Sequence, residues 1–213
     1  MKTSIADIRR EYSKKALNRR EVSECPIDQF NKWFDDAMRS NIDDANAMTL
    51  STVSETGRPS GRIVLLKAVE NNQFVFFTNY KSKKGIQIDK NPFVSLTFYW
   101  KELERQVRVE GKLNKVSKEI SDQYFQSRPR KSRIGAWISD QSQPIKSRYT
   151  LIKSFLLLSG KYIGKQVPLP EHWGGYALTP DNIEFWQGRP SRLHDRINYK
   201  LENGDWSIER LAP

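Results

Sequence analysis

The sequence predicts an α+β fold that is mainly β, an antiparallel barrel decorated by helices. Three observations predict it. Around seven short segments alternate apolar and polar residues with period two. Clusters of Gly, Pro, Asn and Asp separate these segments as tight turns, and helical periodicity is confined to a few stretches.

Taken in chain order, the first 40 residues read as two helices. Ile5, Ile8 and Tyr12 give a weak apolar stripe on a strongly charged segment. Pro26 suits a first helical turn, and Ile27, Phe30, Trp33, Phe34 and Met38 make one apolar face. Residues 14–24 between them are polar and basic, the composition of a linker or mobile arm. Strands follow at 48–53, 62–68 and 73–78, with the turn formers of 55–61 and Asn71-Asn72 between them. Residues 81–89 read as a short helix capped by Ser82 and ended by Asn91-Pro92. Two long strands come next, 93–100 and 105–113. Ser117 then caps a helix carrying Ile120, Tyr124 and Phe125, which Arg128-Pro129-Arg130 breaks. Helices at 134–138 and 147–162 precede strands at 174–178 and 183–187. A hairpin closes the chain, 196–201 and 206–210 around Glu202-Asn203-Gly204-Asp205.

Length and composition narrow the class. At 213 residues the chain suits one compact domain, 25–213, preceded by an arm over residues 1–24. Ten Phe, eight Tyr and six Trp supply the apolar surface that disordered chains lack. The single cysteine, Cys25, excludes an intrachain disulfide framework, and with only His172 and His194 beside it a Cys/His metal cluster is not expected. No apolar run approaches the roughly 20 residues that span a bilayer, and the charged start has no signal-peptide core, so a reducing, cytoplasmic compartment is the default. The 36 Lys and Arg exceed the 25 Asp and Glu by +11, which points to anionic partners.

The cations are clustered. Lys81-Ser82-Lys83-Lys84 sits at a helix start, where the dipole and free amide hydrogens already attract anions. Arg128-Pro129-Arg130-Lys131-Ser132-Arg133 is a second cluster, and Arg62 and Lys67 bracket the apolar run Ile63-Val64-Leu65-Leu66. Such a cluster reads either as a phosphate site or as a solvated basic face. Nucleic-acid binding is disfavoured, since the cations are not interleaved with aromatics as a stacking platform requires. The segment from Trp186 to Arg196 places Arg192, His194, Asp195 and Arg196 on one loop after a strand, a candidate site or a surface turn held by an Asp195–arginine pair. His172, beside Pro170 and Trp173, reads as structural.

Several segments recur in a family order: Arg62-Ile63-Val64-Leu65-Leu66-Lys67, Phe77-Thr78-Asn79, Glu104-Arg105-Gln106-Val107, Tyr124-Phe125-Gln126-Ser127-Arg128-Pro129, Ile134-Gly135-Ala136-Trp137 and Glu184-Phe185-Trp186-Gln187-Gly188. With Arg192-Leu193-His194-Asp195-Arg196 and Arg210-Leu211-Ala212-Pro213, the chain resembles the pyridoxine/pyridoxamine 5′-phosphate oxidase family over essentially its whole length.

The resemblance implies a split-barrel flavoprotein, a homodimer holding FMN at the subunit interface, with no nucleic-acid, membrane or metal partner. It implies oxidation of pyridoxine or pyridoxamine 5′-phosphate at the 4′ carbon to pyridoxal 5′-phosphate, the last step of vitamin B6 cofactor synthesis. Hydride would pass to flavin, O2 would leave as H2O2, and the amine would also yield NH3. Carried over by motif, FMN would be held by Arg62, Ile63, Val64, Leu65, Leu66, Lys67, Phe77, Thr78, Lys83, Lys84 and Gln106, with Gln141, Ser142, Trp186 and Arg196. Substrate phosphate would fall to Lys67, Tyr124, Arg128 and Ser132. Arg192, Leu193 and His194 would face the pyridine ring, with Arg192 and His194 catalytic, and Arg9, Arg10, Glu11 and Tyr12 would form an arm closing over it. Two residues depart from the family pattern: Phe77 stands where Tyr is frequent, and Lys83 replaces a common Arg.

Overall fold

The structure is a computed structural model that describes residues 4–5 and 11–213. The first expected helix falls largely on residues outside that range, as do Arg9 and Arg10. Nine strands and five α-helices are formed among the described residues, against around seven strands expected. The strands hydrogen-bond in the order β2-β1-β5-β6-β7-β4-β3, with β8 on β7 and β9 on β8. Their ranges are β1 Ala47–Val53, β2 Pro59–Leu65, β3 Ala68–Glu70, β4 Gln73–Asn79, β5 Phe93–Trp100, β6 Arg105–Lys115, β7 Trp173–Gln187, β8 Asp195–Glu202 and β9 Asp205–Arg210. Among the described residues, no helix is long and apolar enough to cross a membrane.

The chain falls into two compact units, with β1, β5, β6 and β7 contributing residues to both. The first takes in the described residues up to Leu50 together with Ser95–Gly111 and Pro180–Pro213. Its helix α1, Pro26–Arg39, starts on proline and buries Ile27, Phe30, Trp33 and Ala37. Met38 was expected on that face but is exposed, because Ala37 completes the 3.6-residue stripe instead. Phe30 packs on Phe98 and Trp100, with ring centroids 5.1 and 6.2 Å apart. Trp33 meets Phe185 edge-on at 5.2 Å and carries the Arg105 guanidinium on its face at 4.3 Å. The closing hairpin forms as read, with Glu202 opposite Asp205 and left-handed Asn203 and Gly204 making the two-residue turn.

The second unit comprises Ser51–Val94 and Lys112–Thr179. The strand expected at 62–68 ends at Leu65, and the chain resumes as β3, paired with β4 through the left-handed Asn71-Asn72 turn. β4 pairs antiparallel with Trp173–Leu178 of β7. Within the first unit, Asn182–Gln187 of the same strand pairs with β8. The two strands expected at 174–178 and 183–187 are therefore one. Pro180 reads as a breaker, yet it lies between the two ladders, where its missing N–H costs no bond to β4 or β8.

Helix α2, Lys83–Lys90, is capped by Ser82, which accepts from the Gly85 amide and donates to the Asn79 carbonyl at 2.7 Å. A Cβ at Gly85 would lie 2.0 Å from the Tyr80 carbonyl oxygen, so only glycine lets the helix start this close to β4. Ser82→Ala is expected to lower unfolding free energy by about 1–2 kcal/mol, measured by urea denaturation; an unchanged midpoint would remove the cap from the account. Helix α3, Lys118–Ser127, is capped by Ser117 as expected. Helix α4 spans Arg130–Ile138, one turn longer than read, because the Arg130–Arg133 cations form its first turn after Pro129. Helix α5 is Arg148–Lys161. Phe125, Ile134, Val167 and Trp173 form the core beneath these three helices.

Candidate active site

The second unit contains a cleft of about 960 Å³. Its wall is built by β2, whose residues alternate, so that Arg62 and Val64 are half-buried while Leu66 beyond the strand end packs into the core. Arg62, Ile63, Val64, Leu65, Lys67, Phe77, Thr78, Lys83, Lys84, Gln141 and Ser142 all line this cleft, as do Tyr124, Arg128 and Ser132. Fourteen of the expected residues thus share one cavity, and the expected cofactor residue Leu66 is absent from its lining.

Lys84 is the centre of the polar end. It is buried, and its ammonium donates to Gln141 Oε1 at 2.8 Å, Thr78 Oγ1 at 3.2 Å and Ser82 Oγ at 3.3 Å. Burial, and next the nearby Arg62 guanidinium, push its pKa down to about 8. Burial also lowers the Arg62 pKa. Arg62 donates to Thr52 Oγ1 at 2.6 Å, and Thr52 in turn donates to Gln87 Oε1 at 2.7 Å. Two clustered cations held by neutral oxygens at a helix start make an anion site, because an incoming oxyanion relieves their mutual repulsion.

The other end of the cleft is aromatic and basic. Phe77 stacks on Tyr124 with centroids 4.0 Å apart and on Trp173 at 5.6 Å. The Arg128 guanidinium lies 4.7 Å from the Trp173 ring centre, and burial lowers its pKa. Arg128 Nη1 is buried with no hydrogen-bond partner among the described residues, an N–H left for a further acceptor. The departure at Phe77 leaves no hydroxyl there and gives the ring to the stack.

In the first unit the expected loop is formed by a turn rich in backbone strain. Ser191 and Arg192 both hold left-handed φ, 55° and 62°, and Arg192 is exposed. The Arg189 amide donates to His194 Nδ1 at 3.1 Å, so the neutral ring carries its proton on Nε2. Tyr12 meets His194 and Trp186 edge-on at 5.8 and 5.7 Å. Asp195 pairs with Arg210 at 2.6 Å and Arg189 at 3.5 Å, the arginine pairing expected of a turn. Arg196, expected to bind cofactor, gives three of its five N–H donors to Glu184 and the Ala212 carbonyl, and the Glu184 bond raises its pKa. Gln106 is half-buried on β6, Leu193 is exposed, and Glu11, within the arm, is exposed. His172 bonds the Ala136 carbonyl at 3.1 Å, consistent with a structural role.

Sequence reasoning missed Thr52 and Gln87, which hold Arg62, and the cleft residues Ser60, Asn79, Ser139 and Trp173. A polar Thr52 at a fully buried strand position was the one available signal.

The fold is that of the split-barrel proteins, here with a cation-lined cleft beside a stacked aromatic wall. The family model described as "Pyridoxamine 5'-phosphate oxidase" matches residues 34–154, and that of the "Pyridoxine 5'-phosphate oxidase C-terminal dimerisation region" matches 173–213. The pyridoxine/pyridoxamine 5′-phosphate oxidase of Cytophaga hutchinsonii is 54% identical over 216 residues, covering 100% of both chains. That of Bacteroides thetaiotaomicron is 52% identical, covering 99% of each. Among solved structures, PhzG from Burkholderia lata 383, in complex with tetrahydrophenazine-1-carboxylic acid, is 25% identical with a TM-score of 0.89, over 94% of this chain and 100% of that one. A pyridoxamine 5′-phosphate oxidase-related, FMN-binding protein from Nostoc punctiforme shares the fold, at 20% identity and a TM-score of 0.72, over 90% of this chain and 100% of that one. The chain belongs to the pyridoxine/pyridoxamine 5′-phosphate oxidase family.

Proposed function

We propose that the protein is an FMN-dependent oxidase converting pyridoxine and pyridoxamine 5′-phosphate to pyridoxal 5′-phosphate, acting as a homodimer. One observation carries the reading: a single cleft offers two separate donor sets suited to phosphate. Lys84, Lys83 and Arg62 form one; Lys67, Tyr124, Arg128 and Ser132 form the other. The residues fit a flavin phosphate at the first set, because the buried ammonium already sits among oxygens at the start of α2. The unpartnered Arg128 Nη1 supports a second anion at the other set. When bound, FMN would supply the two-electron chemistry that takes the substrate 4′ carbon to the aldehyde, with O2 as final acceptor giving H2O2 and hydrolysis releasing NH3 from the amine substrate.

The chain's own part is binding and orientation. Two phosphate grips hold both rings in register and turn a bimolecular encounter into an oriented one. The Phe77–Tyr124–Trp173 stack would exclude water from one wall, and Tyr124, which lines the cleft, would offer its hydroxyl to the substrate phosphate. His194 offers Nε2–H, and with Arg192 it holds the polar edge of the pyridine ring. Gln106, Gln141, Ser142 and Trp186 would complete the flavin site, and Arg9 and Arg10 would join Tyr12 in the arm.

A tetrahydrophenazine carboxylic acid, the ligand named for PhzG, has no phosphate to engage Lys67 and Arg128, and the relatives at 52–54% identity are the pyridoxine/pyridoxamine phosphate oxidases. The test is to purify the protein, record its visible spectrum, add pyridoxamine 5′-phosphate under air, and follow aldehyde and peroxide. A colourless protein that binds no added FMN would overturn the reading. Arg128→Ala is expected to raise KM for the phosphorylated substrate about tenfold to a hundredfold with kcat nearly unchanged. Unaltered saturation behaviour would remove Arg128 from the phosphate grip.

A further inference from the structure

Glu104 is a buried carboxylate that the proposed chemistry does not use. It is 2% exposed and holds a left-handed φ of 57°, a conformation that disfavours side chains other than glycine, asparagine and aspartate. It follows the short 3-10 turn Lys101–Leu103 and opens the segment Glu104-Arg105-Gln106-Val107, without itself being among the residues proposed to hold cofactor or substrate. Strain at a buried acid calls for a compensating role, and its contacts supply one.

The carboxylate faces the N-terminal arm. Its Oε2 accepts the backbone amides of Ser13 at 2.9 Å and Lys14 at 3.1 Å. Adjacent amides converging on one ionised oxygen are charge-assisted bonds, the strong kind. The Lys14 ammonium adds a bond to the Glu102 carbonyl. The backbone of Glu104 faces the other way in function: its carbonyl accepts the Gly188 amide at 2.8 Å and Gln187 Nε2 at 3.2 Å. One residue therefore ties the arm through its side chain and the start of the Arg192/His194 loop through its main chain.

The residue just before the latched amides is Tyr12. Its ring rests on Gly188 so closely that a Cβ there would lie 2.7 Å from Tyr12 Cγ. From that seat it meets Trp186 and His194 edge-on. Further along, Asp195 accepts the Leu17 amide at 3.1 Å and Arg210 donates to the Leu17 carbonyl, so the arm is pinned on both sides of Lys15.

We propose that Glu104 is a positioning residue for substrate binding: its carboxylate latches Ser13 and Lys14 and so seats Tyr12 beside His194. The latch acts through Tyr12 and not through the flavin cleft. This rests on the function proposed above, since the arm is taken to cover the substrate.

The test combines kinetics with amide hydrogen exchange on the FMN-loaded, full-length protein. Glu104→Gly suits the left-handed backbone and removes the carboxylate that forms the latch; Glu104→Gln keeps the length and one acceptor. Glu104→Gly is expected to raise KM for pyridoxamine 5′-phosphate about tenfold, with kcat changed less than about twofold, the size of a lost charge-assisted bond. FMN content should stay at the wild-type level. Exchange at the Ser13 and Lys14 amides should quicken about tenfold or more, and Glu104→Gln should recover part of both effects. In a Tyr12→Ala background, Glu104→Gly should change KM less than about twofold, because the route through Tyr12 is already gone. Fully additive KM effects, or unchanged exchange at Ser13 and Lys14, would overturn the proposal. If Glu104→Gly does not fold, Glu104→Gln is judged by the same exchange and coupling. A wild-type protein that oxidises no pyridoxamine phosphate would sink the proposed function, and the exchange measurement would still decide the latch.

Discussion

Lys84→Met is expected to weaken FMN binding by about tenfold to a hundredfold, the range for losing a charge-assisted bond to phosphate. The substitution keeps the side-chain bulk and deletes the ammonium that touches Thr78, Ser82 and Gln141 together. It should also flatten the pH dependence of binding. The Lys84 pKa is lowered from its ordinary value of 10.5 to about 8, so the folded, ligand-free chain gives up this proton as pH rises through about 8. The unfolded chain keeps it until about 10.5, so between those values the unfolded state holds more protons and this group's burden on stability eases as pH rises. Below pH 8 the buried charge is carried in full. A phosphate reverses the preference, because it favours the ammonium; binding then draws a proton above pH 8 and weakens as pH climbs. Titration of flavin fluorescence between pH 6.5 and 9.5 (a range bracketing about 8) checks both points. Equal affinities for wild type and variant, or an undiminished pH slope in the variant, would refute the role given to Lys84.

Removing Arg192 and His194 together is expected to lower kcat/KM by about a hundredfold or more while the protein stays yellow. Neither residue lines the cleft that carries the flavin-phosphate donors. His194 is held by the Arg189 amide at Nδ1, and the Arg192 backbone two residues earlier holds a left-handed φ. Loss of preorganised contacts to the reacting ring should therefore fall on turnover with little effect on flavin content. Stopped-flow reduction of the bound flavin by substrate, with the flavin content measured alongside, is the direct assay. Undiminished reduction would end the assignment.

The parts of the site legible in the sequence are those written in short segments. Lys81-Ser82-Lys83-Lys84 announced a capped helix start with cations, because cap and charge lie within four residues. The terminal hairpin was legible for the same reason, as Asn203-Gly204 specifies its own turn. The supports of these groups were not. Thr52 and Gln87 reach Arg62 only once β1, β2 and α2 are assembled. Glu104 meets Ser13 across 91 positions, and nothing local marks a glutamate for a left-handed backbone. The strands read at 174–178 and 183–187 are one, because Pro180 falls where pairing passes from β4 to β8, and that depends on neighbours the local pattern does not show. The family resemblance supplied Gln106, Gln141, Ser142 and Trp186, which no spacing argument reached.

The near-parallel stack of Phe77, Tyr124 and Trp173 has a thermodynamic consequence. A ring stacked on its neighbour at 4.0 Å has already lost much of its rotational freedom when the chain folds. The ordering entropy of Tyr124, on the order of 0.5–1.5 kcal/mol for an immobilised side chain, is then absent from the binding step. Under the proposed function, a bond from the Tyr124 hydroxyl to the substrate phosphate would then form without that ordering cost.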